Sequence, residues 1–434
     1  MSSLVKRLAG ELEGTPAAAI ISGCFTNTWT TAMHWSAAFG PETAQDEVFV
    51  ATGDIPAMWL RDSTAQVRPY LALADDPAVA DALRGVLKRQ LRYVMLDPYA
   101  NSFNDGLTGT HGEESDLPAP GPVTWEQKYE LDSLCAPLQL GYAIWRATGS
   151  TQHLDEGFFS VAKAIVAQLC LEQDHANSPY TFIRAEGDFS GDSLPNGGRG
   201  GPVAHTGMTW SGFRPSDDRC EYGYLIPSNA LASASLHGLA ELVRHVTHDE
   251  KFALECIALS TEIDAGIETF GTREHNGETI YAYEVDGLGG TTLGDDANLP
   301  SLLSLPLSGW CSDDDPVYQA TRRFVLSDAN PHYYSGTAAS GVGSAHTPPH
   351  QIWPLAIATA GLTGEAGHVR EALDLLSATT GGTGLMHESF HVDDPTIFTR
   401  HWFGWANAMF SELALEVAGL RVRDFFPKHP RAIA

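Results

Sequence analysis

The chain has 434 residues, 43% hydrophobic and 9% aromatic, enough for a sizeable core. Its 54 acidic against 26 basic side chains give a formal charge of −28, a field that repels phosphate backbones and anionic lipid, so a neutral substrate is expected rather than nucleic acid or a membrane. No run of about eighteen apolar residues offers a membrane span, no secretion signal opens the chain, and the six cysteines (Cys24, Cys135, Cys170, Cys220, Cys256, Cys311) form no C-x-x-C pair, which predicts reduced thiols in a cytoplasmic protein.

Helical periodicity then recurs from end to end. A short helix is predicted over 3–13 and another near 23–38. Residues 61–74 and 77–95 form a first pair, the second member striped by Val79, Leu83, Val86 and Val94. Residues 128–148 and 152–172 form the next, on Leu131, Leu134, Leu138 and Tyr142 and then Phe158, Val161, Ile165 and Leu169. Pairs follow at 228–246 with 249–270, 297–307 with 315–327, and 350–361 with 364–378, and a helix over 402–420 can pair with the one near 23–38. Short breaks such as Asp75-Asp76-Pro77 and Thr247-His248-Asp249 join the members, which is how helical hairpins are punctuated.

Six consecutive hairpins predict an all-α fold, an (α/α)6 barrel closed into a toroid, as one catalytic domain over 1–434. A helical solenoid would give a similar string, but no repeat of 30–45 residues is visible. Long Gly/Asp/Pro-rich loops lie between the hairpins, at 96–126, 174–226, 271–296, 328–349 and 379–401. They carry His, Trp, Arg and paired carboxylates, and in a toroid such loops gather at one end and build a site.

Three segments bear the chemistry. Gly53-Asp54-Ile55-Pro56-Ala57-Met58-Trp59-Leu60-Arg61-Asp62-Ser63 joins an aromatic, a guanidinium and two carboxylates at a turn before a helix. That inventory suits a pyranose: Trp59 offers a surface to the apolar C–H face, Arg61 donates from a fork, and Asp62 accepts. Asp217 and Asp218, between Arg214 and Arg219, are adjacent carboxylates in an aromatic setting, where repulsion and desolvation can leave one protonated as a general acid.

The third segment, His387-Glu388-Ser389-Phe390-His391, spells H-E-x-x-H, and with Glu412 as a third ligand it would suit a zinc peptidase. Gly381, Gly382 and Gly384 before it and Asp393-Asp394-Pro395 after it leave little room for the helix such a site needs. Glu388 is therefore expected to act from a loop, with no metal and no cofactor. Two carboxylates on separate loops facing a gripped sugar are the apparatus of glycoside hydrolysis.

Taken together, the run 53–63, Phe213-Arg214-Pro215-Ser216-Asp217-Asp218, Tyr224-Leu225-Ile226-Pro227-Ser228-Asn229 and Met386-His387-Glu388-Ser389-Phe390 resemble glycoside hydrolase family 125. Lys128-Tyr129-Glu130-Leu131-Asp132-Ser133-Leu134-Cys135, Phe398-Thr399-Arg400 and Trp402-Phe403-Gly404-Trp405-Ala406-Asn407 support it, in order over about 25–415. The resemblance implies an (α/α)6 barrel and a metal-independent, inverting exo-α-mannosidase acting on α-1,6-linked mannose, including N-glycan-derived oligosaccharides. It assigns the general acid to Asp217 or Asp218, with Asp218 favoured, and the general base to Glu388. Arg61 and Asp62 match the family's grip on the terminal mannose, and Trp59, Glu130, Asp132, Asn229 and His346 are further substrate-binding candidates. Inversion predicts carboxyl groups roughly 6.5–9.5 Å apart. A mannose-binding protein without catalysis is the non-enzymatic alternative.

Overall fold

The computed structural model describes residues 1–185, 192–365 and 367–433. The predicted loop 174–226 and helix 364–378 include residues 186–191 and 366, which lie outside the described residues. Helices dominate, in the order α1 (Ser2–Glu11), α2 (Ala17–Asn27), α3 (Leu60–Val67), α4 (Pro77–Leu96), α5 (Leu131–Thr148), α6 (Glu156–Glu172), α7 (Ile226–Val246), α8 (Glu250–Phe270), α9 (Pro316–Val325), α10 (Pro354–Leu362), α11 (His368–Ala378) and α12 (Gly404–Val417).

Burial sorts these helices into two classes. Every residue of α5 from Leu131 to Ile144 and of α12 from Gly404 to Leu415 is buried, whereas α4, α6, α8 and α11 bury a single face. A helix apolar all round belongs inside and an amphipathic one outside. In keeping with that, α3 packs on α5, α5 on α7, α10 on α12, and α12 on α3, while a 3-10 turn at Leu302–Ser304 touches both α7 and α10. The stripes read from the sequence, such as Val79, Leu83 and Val86, lie in one continuous apolar core.

Two predicted helices are cut short. Residues 297–307 form only the turn Leu302–Ser304, because Pro300 and Pro306 flank it and a proline interrupts the amide ladder. Asp295 takes the place of a longer helix start by accepting from Leu302 N at 2.8 Å and Leu303 N at 2.9 Å. The helix expected near 23–38 is α2, ending at Asn27; a π turn at Thr28–Ala32 leads into Met33–Trp35, which pairs antiparallel with Val48–Val50. The run Thr28-Trp29-Thr30-Thr31, β-branched and aromatic, favours that exit into extended chain. All six cysteines are free, five of them buried and Cys170 exposed.

Capping follows the two helix classes except at α11, which starts on Gly367 without a side-chain cap. The outer helices α4, α6, α8 and α9 start on Asp76, Asp155, Asp249 and Asp315, each accepting from an amide in the first turn. By contrast α3, α5, α7, α10 and α12 start on Trp59, Glu130, Leu225, Trp353 and Phe403 without a side-chain cap. Three of these starts continue directly from small three-stranded sheets: Met58–Trp59 with Ser102–Phe103 and Thr124–Glu126, Tyr224–Leu225 with Glu284–Val285 and Thr291–Thr292, and Gln351–Ile352 with Ser389–His391 and Phe398–Thr399. The sheets fix the loops at the uncapped helix starts, and partial positive charge from those amides favours carboxylates there. Asp62 and Asp132 occupy the first turns of α3 and α5.

Candidate active site

Arg61 is buried, and its Nη1 donates to Glu130 Oε2 at 2.5 Å and to Asp132 Oδ2 at 3.1 Å, while Nη2 lies 3.2 Å from Asp62 Oδ2. The guanidinium also sits 5.5 Å from the centre of the Trp405 ring. Glu130 and Asp132 thus hold Arg61 from behind, and of these four residues only Arg61 and Asp62 line the cavity. Asp62 pairs with Arg61 without hydrogen-bond geometry, and its buried Oδ2 accepts no hydrogen bond.

The start of the same run fixes a different cation. Arg400 Nε donates to Asp54 Oδ1 at 2.8 Å and its Nη2 to Thr52 O at 2.8 Å. Gly53 has φ +61°, and a Cβ there would stand 2.7 Å from Arg400 Nη2, so the glycine serves both the turn and the close approach. From this perch Arg400 Nη1 reaches to 3.5 Å of Glu388 Oε1.

Glu388 is aimed by its neighbours. Ser389 Oγ bonds Gln351 Oε1 at 2.6 Å and Thr399 Oγ1 at 2.7 Å, and the strand Ser389–His391 holds register with Ile352 and Phe398. His387 stacks on Phe398 at 3.7 Å, with Nδ1 and Nε2 against the carbonyls of Arg400 and Thr380 at 3.0 and 2.9 Å. H-E-x-x-H therefore runs through a loop and a strand, His387 is occupied by the backbone, and Glu412 grips Arg68 at 2.6 and 3.1 Å. The zinc-peptidase reading fails on each of these points.

The Asp217-Asp218 turn is closed by Arg214 N donating to Asp218 O at 2.8 Å and Asp217 N to Arg214 O at 3.0 Å. Asp217 has φ +67°, and the two side chains part. Asp217 Oδ1 turns inward, accepting from Trp59 Nε1 at 3.2 Å and Asn101 Nδ2 at 3.0 Å. Asp218 Oδ1 meets His346 Nδ1 at 3.4 Å, where the side chains are 23% and 39% exposed.

These settings separate the carboxyl groups electrostatically. Burial would raise Asp217, but Lys128, Arg61, a hydrogen bond with Glu130 and His346 outweigh it and hold Asp217 below the usual range. Burial pushes Glu130 well above that range against the pull of Arg61, and the neighbouring Asp217 and Asp132 add to the rise. Burial likewise raises Asp132, and lifts Asp62 to about 6 against the pull of Arg61. Burial works against a charged His346, yet Asp218, Asp217 and Glu388 prevail and raise it to about 9.

One cavity brings together Trp59, Arg61, Asp62, Asp217, His346 and Glu388 from the sequence-derived set, while Asp218 stands outside its lining, against His346. Asn229 lies elsewhere: it is fully buried, and its amide is used by Thr209 N, Thr209 O and Leu225 O at 2.8, 3.0 and 3.0 Å. The cavity also has walls that sequence reasoning did not assign to it, namely Asn298, Trp353, Arg400, Phe403 and Trp405. Asn298 and His346 are tied through Ser344, whose Oγ donates to Asp296 Oδ2 at 2.6 Å while Asp296 Oδ1 accepts from Asn298 Nδ2 at 2.8 Å. Arg400 and Trp405 were legible as parts of long motifs; Trp353 and Asn298 carried no such signal.

Comparison with known proteins places this arrangement. The family profile of metal-independent α-mannosidases, GH125, matches residues 15–415. A Schizosaccharomyces pombe relative, the meiotically up-regulated gene 157 protein, is 37% identical over 433 residues, covering 94% of this chain and 83% of the relative. A Streptococcus pneumoniae structure from the metal-independent α-mannosidases, a non-productive substrate complex with α-1,6-mannobiose, superposes with a TM-score of 0.93 at 45% identity, covering 97% of this chain and 98% of the other. A bacterial glucoamylase complexed with acarbose shares the fold alone, with a TM-score of 0.56 at 13% identity over 86% of this chain and 50% of its own.

Proposed function

The chain belongs to the metal-independent α-mannosidase family, GH125, and on that premise we propose that it removes non-reducing terminal α-1,6-linked mannose with inversion, using Asp218 as general acid and Glu388 as general base. The observation that carries the role assignment is the position of His346, close enough to Asp218, Asp217 and Glu388 to feel all three, with Arg61 and Asp62 in the wall of the same cavity. The pneumococcal relative's α-1,6-mannobiose supports the substrate, and its description in the processing of N-linked glycans supports oligosaccharides of that origin.

The mechanism follows from where the groups stand. Terminal mannose enters the cavity against Trp59 and Trp405, with hydroxyls bonded to Arg61 and Asp62, so the glycosidic oxygen points back toward the mouth. Asp218 is on the more exposed side of its turn and reaches the cavity through its contact with His346, whereas Asp217 is held ionised at the inner wall and is a poor donor. Charged His346 hands its proton to Asp218, which delivers it to the glycosidic oxygen as the C–O bond breaks. Glu388, steadied by Arg400, removes a proton from the water that attacks the opposite face of the ring. The leaving oxygen gains one proton and the attacking water loses one, and the product is β-mannose.

The contacts from α3 through α5, α7, the 302–304 turn, α10 and α12 back to α3 support a closed (α/α)6 barrel forming one domain. No described helix is long and apolar enough to cross a membrane. The unpaired cysteines favour a reducing, cytoplasmic setting.

Proton NMR of α-1,6-mannobiose hydrolysis tests the reading: β-mannose appears first if it holds, while first-formed α-mannose refutes inversion and absent turnover with retained binding reveals a lectin. Asp218→Asn is expected to lower kcat roughly 100- to 1,000-fold on mannobiose and far less on an aryl mannoside whose leaving group needs no proton. The same selective rescue in Asp217→Asn would transfer the acid role to Asp217. A bell-shaped kcat/KM profile is also expected. Its acidic limb near 6 reflects protonation of Asp62, which then loses its acceptor role, and its alkaline limb near 9 reflects proton loss from His346. His346→Gln should abolish the alkaline limb and leave the acidic one.

A further inference from the structure

Outside the sugar cavity, three potential ligands from distant parts of the chain converge. His237 lies midway along α7, Asp264 lies on α8, and His429 follows the last 3-10 turn, Val422–Phe425, beyond the 15–415 span that the family profile matches. One ligand atom from each lies within 4.8 Å of the other two. His429 Nε2 is 2.8 Å from Asp264 Oδ2, and the rings of His429 and His237 meet edge to face at 4.4 Å.

The surroundings hold these groups in place. Asp264 Oδ1 accepts from Ser233 Oγ at 2.7 Å and Trp310 Nε1 at 3.0 Å, leaving Oδ2 for the histidine side. His429 N donates to Gly309 O at 2.8 Å, and Pro427 packs so closely on Gly238 that a Cβ there would stand 2.6 Å from its ring. His237 opens onto a concavity shared with Glu241, Arg244, His245 and Lys428, which leaves a path for water. Of the nearby cations, Arg244 pairs with Glu250 and Lys428 with Asp424.

We propose that His237, Asp264 and His429 bind one divalent transition-metal ion of the zinc class, which staples the C-terminal segment to the α7–α8 hairpin. Two imidazoles and a carboxylate with a water in the fourth position form a set that zinc accepts and that magnesium, which demands octahedral oxygen, does not. Ser233 and Trp310 orient the carboxylate as outer partners of metal ligands do. Uptake through His429 Nε2 moves the ring proton to Nδ1 and so sacrifices the long bond from Arg431 N to His429 Nδ1, 3.2 Å, while Asp264 Oδ2 exchanges the histidine for the ion. The ion stands apart from the catalytic carboxylates, and turnover needs none.

Titration calorimetry of Zn²⁺ into chelator-stripped full-length protein tests this. One equivalent per chain is expected, with a melting temperature raised by a few degrees, no response to Mg²⁺, and mannosidase turnover equal with and without zinc. His237→Ala leaves the Asp264–His429 pair intact, so it should fold normally and bind zinc at least tenfold more weakly. Co²⁺ should give visible d–d absorption in the wild type that His237→Ala lacks. Equal zinc stoichiometry and affinity in wild type and His237→Ala, or no uptake by the wild type, overturns the proposal.

Discussion

Glu388→Gln is expected to lower kcat on α-1,6-mannobiose by roughly 1,000- to 10,000-fold with little change in KM or melting temperature, at the upper end of what a general base contributes. Glutamine keeps the shape of the side chain, and the neighbours that aim it, Ser389 with Gln351 and Thr399 and His387 on Phe398, do not touch its carboxylate. What the amide cannot do is take a proton from water. Because the loss is confined to that step, azide, a nucleophile that needs no base, should restore part of the turnover and yield β-mannosyl azide. Near wild-type turnover in the folded variant would remove Glu388 from the mechanism; α-mannosyl azide would show that azide intercepts a glycosyl-enzyme formed on another residue, making Glu388 the acid/base of a retaining reaction.

Legibility in the sequence followed the length scale of the interaction. Stripes such as Leu131, Leu134 and Leu138 announced α5 because a buried helix must be apolar over many turns, and that signal is local. The expected helix over 297–307 failed because Pro300, Pro306 and the carboxylate of Asp295 redirect the chain, and periodicity ignores both proline geometry and a cap seven residues away. At the site, Arg61 and Asp62 were visible as a local pair, but the roles of Glu130 and Asp132 were not. Both sit in or beside the first turn of α5, and only the packing of α5 on α3 turns them from cavity wall into the support behind Arg61. Asn229 shows the converse: part of a motif, it caps backbone groups in the interior. The separation of Asp217 from Asp218 depends on one positive φ and on Lys128, Asn101 and Trp59 brought in from elsewhere, none of it readable from the Asp-Asp pair.

Arg61→Met should cost about 3–5 kcal/mol of stability and abolish productive sugar binding, because it strips the cation from a buried set of carboxyl groups. Asp62, Asp132 and Glu130 all pair with Arg61 within 3.2 Å, and Asp217 is held ionised in part by the same charge. Methionine can fill the space against Trp405 but leaves these groups without their counter-ion. The cost then depends on pH with a definite sign. Asp62 already sits at about 6 with Arg61 present, and removing the cation raises it further, as it does Asp132. Carboxyls raised above their unfolded values bind more protons in the native state, so the variant loses stability as pH rises through that window and recovers it as pH falls. Urea melts of both proteins at pH 5 and pH 8 should therefore show a gap that narrows at the lower pH. A gap of equal size at the two pH values would mean that Arg61 stabilises by packing on Trp405, not by charge. Arg61→Lys separates charge from geometry: one ammonium cannot serve Glu130, Asp132 and Asp62 as the fork does, so stability should recover in part while KM stays high.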